Sequence, residues 1–245
     1  NIFIAIFIRR QLRLEHPFLE MRVFKSRPFA IAALLSGVTN MAMVGIAMVF
    51  PLYVQELRGQ SAFHSGLMLL PGAILMGIMM PISGNIFDKY GAKYLARIGM
   101  GILTLATVPF LFINETTPFI LLIIFYGLRM FGIALVMMPV TTSGMNSLPT
   151  SLISHGTAVN NTFRQIASSI GTAILVSVLS NTTKKGMPSP SLEHTDPSAY
   201  HEKFITATLN GYHAAFVVAL IFCIIGWIVA FQVGKDKRHH HVKSA

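Results

Sequence analysis

PISGNIFDKYGAK, residues 81–93, separates two long apolar runs with Gly84, Asp88, Lys89, Gly91 and Lys93. A charged turn between apolar runs of this length suits a chain that crosses a bilayer, because about 20 apolar residues are needed to span the hydrocarbon. Gly84 and Gly91 can permit a close approach or an unusual backbone angle. Lys89 and Lys93 can anchor the turn to a membrane surface. Asp88 can face the positive end of a helix, either that of the following span or one from elsewhere. By itself the stretch is equally consistent with an ordinary tight loop.

The composition agrees with a membrane chain. Of 245 residues, 53% are hydrophobic and 11% charged, with a mean hydropathy of +0.62. Soluble domains carry about a quarter charged residues. The net charge of +10 would suit nucleic acid only if the basic groups clustered on a soluble face. They lie instead in short segments between apolar runs, so nucleic acid is excluded as a partner and the lipid bilayer takes its place. The single cysteine, Cys223, lies in an apolar run; it offers neither a disulfide framework nor a cysteine metal site and reads as a packing residue. His239–His241 reads as a solvated tail more readily than as a weak metal site. No Ser/His/Asp or metal-ligand set shares a common depth, so the chain is not expected to be an enzyme or to hold a cofactor.

Residues 1–8 are apolar but too few to span, and read as the end of a membrane helix whose beginning is absent. A basic linker over 9–28 follows. Six spans are expected at about 29–53, 65–87, 94–113, 117–142, 156–180 and 209–233. The polar stretch 181–208 is expected to be an extracytoplasmic loop, and 234–245 a cytoplasmic tail. Arg9, Arg10, Arg13, Arg22, Lys25 and Arg27, then Lys89, Lys93 and Arg97, then Lys235, Lys237, Arg238 and Lys243 all fall on one side under alternating topology. That side is cytoplasmic by the positive-inside rule, and so is the C-terminus. Six spans divide into two groups of three, and an odd count inverts the second relative to the first.

Polar residues within the spans mark candidate positions. Arg129 lies about mid-bilayer, where an arginine facing lipid costs at least ~2.5–3.5 kcal/mol, so it must face a cavity or a partner. Tyr126 and Gly132 share its helical face and could supply a hydroxyl and open space. The alternative is a structural arginine bonded to carbonyls. In span five, Asn160, Asn161, Arg164, Ser168 and Thr172 form a polar stripe, facing a water-filled route or a polar helix contact. Gln165 points to a neighbouring face. Methionines within the spans, Met137 among them, suit a pocket that admits many shapes, though Met is also ordinary filler. Arg129 and the Asn161–Arg164–Ser168 face are expected to share one concave surface.

Several stretches carry a family resemblance. GNIFDKYGAK resembles the G-x-x-x-D-R-x-G-R-K loop of the major facilitator superfamily, with Lys89 for Arg and Ala92 for a basic residue. Upstream, Pro51-Leu52-Tyr53-Val54-Gln55 followed by Ser61, Gly66, Leu67, Leu70, Pro71 and Gly72 is similar to the 14-helix drug:proton antiporter branch, the EmrB/QacA type. NNTFRQIASSIGTAIL resembles that branch's N-x-x-R-Q-x-x-x-x-G-x-A segment, and MMPVTTSGMNSLP its lincomycin-resistance-like members. The resemblance runs from about residue 17 to 234. It implies an all-α membrane protein: a six-helix C-terminal bundle of two inverted three-helix repeats, preceded by the end of a linker helix. It further implies half of a multidrug exporter in a bacterial cytoplasmic membrane. Small-molecule drugs are then the substrates, the absent N-terminal half a partner, and protons the coupling ion. Arg129, Tyr126, Met137, Asn161, Arg164, Gln165 and Ser168 would line the path. Gly84, Asp88, Lys89, Gly91 and Lys93 would form a loop that latches one conformation against the other half, weakened by Lys89, which lacks the planar fork of Arg. Since no acid lies deep in a span, the main proton carrier is expected in the absent half. A metabolite or sugar carrier, or a non-transporting membrane scaffold, are the alternative readings.

Overall fold

The computed structural model describes residues 21–234. A short 3-10 turn, Met21–Lys25, precedes helix α1 (Arg27–Glu56). Then come α2 (Ala62–Tyr90), α3 (Ala92–Thr107, prolonged by a 3-10 turn Val108–Leu111) and α4 (Phe119–Asn146). Helix α5 (Ile153–Gly186), a single-turn α6 (Pro190–Thr195) and α7 (Pro197–Ala230) are the remaining α-helices among the described residues. Six of these helices are long and apolar enough to cross a membrane, and each overlaps one of the six expected spans; those at 94–113, 117–142 and 209–233 run two or three residues past a helix end.

The joints follow from local chemistry. Ser61 caps α2 by accepting the His64 backbone N–H, and Asp196 caps α7 by accepting that of Ala199. Between α2 and α3 the whole connection is Gly91, at φ +77°, a region that residues with a Cβ rarely enter. The opening stretch is therefore less of a loop than its composition suggests: α2 continues through Gly84 to Tyr90. Gly84 neither turns the chain nor permits a close approach, since an added Cβ would meet only Met138, at 3.9 Å. The α3–α4 connection is an Asn turn, in which Asn114 Oδ1 accepts from the Thr116 backbone N–H and the Thr117 hydroxyl. It is tied to the end of α1 by Tyr53 Oη on the Asn114 carbonyl (2.6 Å) and Arg58 on the Thr117 carbonyl (2.7 Å).

Helix α4 packs against α1, α2 and α3, while α7 packs against α1, α3 and α5; α1 also meets α5. Exchanging α1 with α4, α2 with α5 and α3 with α7 reproduces most of these pairings, as two equivalent three-helix repeats require. The core lies where α1, α3, α4 and α7 converge. Phe50 is its aromatic centre, stacked on Tyr126 and edge-on to Phe110, both at 5.7 Å. Helices α2 and α5 are peripheral: their most apolar windows are only 17% and 22% buried, against 67% in α1. A smaller cluster of Val23, Phe29, Ala33, Leu148 and Val159 seats the 3-10 turn against the bundle, so that end of the expected linker is packed.

The expected loop over 181–208 is mostly helix. Helices α5 and α7 have 34 residues each, about 51 Å at 1.5 Å per residue, well beyond the ~30 Å hydrocarbon. Their ends brace one another, with Gly186 against Ala207 and Gly211 against Leu179 and Thr183, so the polar stretch has a helical partner. Residues 1–20 and 235–245, which carry the expected helix end, most of the basic linker, the tail and His239–His241, lie outside the described residues.

Candidate functional site in the membrane bundle

Arg129 has 0% exposure: it avoids lipid, as its depth requires, but contrary to expectation it does not share a concave surface with the Asn161–Arg164–Ser168 face. Its guanidinium donates to the Thr107 hydroxyl through Nη1 and to the Ala42 carbonyl through Nη2 (2.9 Å), and lies 5.9 Å from the centre of the Phe110 ring. Thr107 Oγ1 itself donates to the Leu103 carbonyl (2.6 Å), which leaves its lone pairs free to accept from arginine. Cys223 Sγ is 3.6 Å from the same hydroxyl. The arginine thus ties α1, α3 and α4 together, in the structural role of the two considered. Nε is buried without a partner.

Its expected neighbours are also enclosed. Tyr126 is 5% exposed, and Met137 4%. Gly132 supplies no open space: it is pressed against the backbone of Gly99 and Leu103 on α3. The in-span methionines divide similarly, with Met68, Met130 and Met137 in the core and Met138 exposed.

The polar stripe of α5 lies along its seam with α1. Asn160 is buried, and the Arg164 carbonyl accepts from Asn40 Nδ2 (3.2 Å). The Arg164 side chain is half-buried, with Nε unpartnered, and Ser168 is buried one turn further on. Asn161 and Gln165 are exposed beside it. Above the Asn40–Arg164 contact the seam opens into a groove of about 450 Å³ between Val44 and Met48 of α1 and Ser168, Ser169, Thr172, Ala173 and Val176 of α5. The Thr172 hydroxyl there has no protein partner. The stripe is therefore a helix contact at one level and an open polar surface at the next. Sequence reasoning missed Asn40, Thr107 and Met48. A polar residue within an apolar run was the available signal for the first two; the groove-facing Met48 had none.

At the opening stretch, Asp88 and Lys89 are exposed and Lys93 is half-buried. Asp88 sits in the last turn of α2, the negative end of its own helix, four residues before the positive start of α3.

These features define a multi-pass helical membrane protein with two three-helix repeats, a buried arginine clamp and a polar groove on a peripheral helix. The profile of the Major Facilitator Superfamily matches residues 7–172, and the chain belongs to that family. It is 41% identical over 237 residues to a protein named Uncharacterized MFS-type transporter YcnB, from Bacillus subtilis (strain 168). That match covers 97% of this chain and 48% of the relative. Lincomycin resistance protein LmrB of Listeria innocua is 34% identical over 97% of this chain and 49% of its own length. A Multidrug resistance protein B homolog of Mycobacterium tuberculosis is 29% identical over 70% of this chain and 32% of its own length. The chain spans about half the length of the first of these relatives. The names of the first and third of these relatives, a transporter and a multidrug resistance protein, and of the second, a lincomycin resistance protein, describe those proteins.

Proposed function

We propose that the chain is the C-terminal half of a proton-coupled multidrug exporter that moves amphipathic drugs by alternating access. The observation that carries this reading is the match of nearly the whole chain, at about one third identity, to half of a relative named for lincomycin resistance. The other half would pack against α2 and α5, whose apolar faces are the least buried of the six spans. The path within this half is the α1–α5 groove, with Ser168 on its wall, Arg164 below it, and Asn161 and Gln165 exposed on the same helix. Arg129, Tyr126 and Met137 are assigned to holding the bundle together, since all three are enclosed.

No carboxylate among the described residues lies in the membrane interior: Glu56 and Asp88 sit at helix ends. The proton carrier is therefore assigned to the other half, and the protein to a bacterial cytoplasmic membrane with the C-terminus inside. Asp88, Lys89, Gly91 and Lys93 would act as the conformational latch. In the two-half transporter, Asp88→Asn should shift the inward/outward balance seen in spin-label distances between halves. An unchanged distribution with lost expression would reduce the stretch to an ordinary joint.

Alternating access needs two bundles around a shared site, so this chain alone should not transport. Ethidium efflux from cells lacking their major pumps tests the reading. Efflux is expected only when both halves are present, and should stop with a proton uncoupler. Uncoupler-sensitive efflux by the chain alone would overturn it.

A further inference from the structure

Away from the groove, the basic start of α3 packs against the end of α7, and the groups along that seam are layered by depth. Arg97 of α3 donates through Nη2 to the Phe231 carbonyl (3.1 Å) at the end of α7, and its guanidinium lies 4.9 Å from the centre of the Phe231 ring. Those contacts leave Nε buried with no partner. Lys93 lies one turn earlier on the same face and is half-buried, which places a second positive charge nearer the helix start. One turn deeper, the Trp227 indole lies over Gly101, where an added Cβ would be 3.6 Å from Nε1, and its ring centre is 6.1 Å from that of Phe231. Trp227 is 36% exposed, and its N–H has no acceptor among the described residues. Deeper still, Leu105 and Ile224 are exposed and apolar.

We propose that this seam binds the headgroup of an anionic phospholipid at its surface. Arg97 and Lys93 hold the phosphate, the Trp227 indole N–H donates to a glycerol ester carbonyl, and the acyl chains run along Leu105 and Ile224. Three observations lead to that occupant rather than to a soluble anion. The donors are ordered by depth as a phospholipid's acceptors are, with phosphate outermost, ester next and hydrocarbon innermost. The aromatic and basic groups lie together at a helix end, where aromatic side chains and Lys or Arg meet lipid headgroups. Finally, the described contacts of Arg97 are a carbonyl and a ring, not a carboxylate, so its charge is free for an external anion. A basic pocket between spans on the cytoplasmic side is a general means of holding acidic headgroups. The assignment rests on the proposed orientation, with this end inside, but not on drug export.

The test is lipid retention by the full chain purified in mild detergent, read by native mass spectrometry. Phosphatidylglycerol is offered against phosphatidylcholine with the same acyl chains. Phosphatidylglycerol is expected to be retained several-fold better, and Arg97→Gln should lower its retention about five-fold, the effect of one basic group at a membrane surface. Trp227→Phe keeps every contact of Arg97 and should lower it about three-fold, one hydrogen bond's worth. Equal retention of the two lipids by the unmodified chain would overturn the proposal, as would unchanged phosphatidylglycerol binding in Arg97→Gln. Displacement of the lipid by millimolar inorganic phosphate would also overturn it and assign the seam to a free anion. If Arg97→Gln fails to fold, the lipid choice of the unmodified chain and of Trp227→Phe still decides. None of these readings depends on efflux, so failure here and failure of the export reading are separable.

Discussion

Gly99 and Gly132 bring the backbones of α3 and α4 into contact: a Cβ built on either would lie 2.8 Å from the carbonyl oxygen of the other. The atoms crowding Gly132, which include the Leu103 backbone nitrogen at 2.9 Å, are all main chain and cannot rotate away. Gly132→Ala is therefore expected to destabilise the bundle by about 1–3 kcal/mol, the usual cost of overpacking. Gly127→Ala on the same helix, where the nearest atom is 3.9 Å away, should be neutral or gain up to ~1 kcal/mol from helix propensity. Unfolding in mixed micelles of mild detergent and dodecyl sulfate measures both, and a reversed order would refute the close-contact account.

Arg129 is a clamp without a carboxylate among its described partners, so its charge carries a desolvation cost that only neutral acceptors offset. Arg129→Met keeps the volume, and its loss does not orphan Thr107, which still donates to the Leu103 carbonyl. Its stability should stay within about 1.5 kcal/mol of the parent. Arg129→Lys retains a charge that is more strongly hydrated and lacks the two-armed fork. The lysine variant should therefore be the less stable of the two in the same unfolding assay. A more stable lysine variant would mean that the charge itself is needed.

Asp196, fully exposed outside the spans, accepts from the Ala199 backbone N–H (3.0 Å) and the Ser198 hydroxyl (2.6 Å); the first, then the second, hold its pKa below the usual carboxylate value. A carboxyl lowered by folding stabilises the folded form in its ionised state. The contribution is complete above the ordinary value of 3.8 and is lost as the pH falls through the lower, folded-state value. Amide-exchange protection over the first turn of α7, taken relative to the intrinsic rate at each pH, should fall in that acid window and stay constant between pH about 5 and 8. Asp196→Ala should show the lower protection at neutral pH and approach the parent in the acid window.

On α2, an added Cβ at Gly77 would meet nothing within 4 Å. Gly77→Leu should leave the stability of the chain alone within about 0.5 kcal/mol, as surface substitutions do. In the transporter joined to its other half, the same change should reduce efflux by about ten-fold or more, because the new side chain would occupy a close interface. Undiminished efflux would remove α2 from that interface.

The membrane class, the six spans and the joint at Gly91 were legible in the sequence because each depends on local quantities. About 20 apolar residues suffice to cross hydrocarbon, and a single glycine suffices where φ must be positive. The polar stripe of α5 was also legible from helical spacing. The facing of each helix was not, because helices apolar on every side carry no periodic signal of rotation. Arg129 shows the consequence. From its depth it had to avoid lipid, but whether it faced a cavity or a partner depended on Thr107 and on Ala42, 87 residues earlier in the chain. Tertiary packing decided likewise that Gly132 is a contact and not a space, and that the polar stretch 181–208 is mostly helical because α5 and α7 support each other past the membrane. Hydropathy and turn chemistry act within a few residues and can be read along the chain; helix rotation is set by contacts between residues far apart in it, and only the folded bundle displays them.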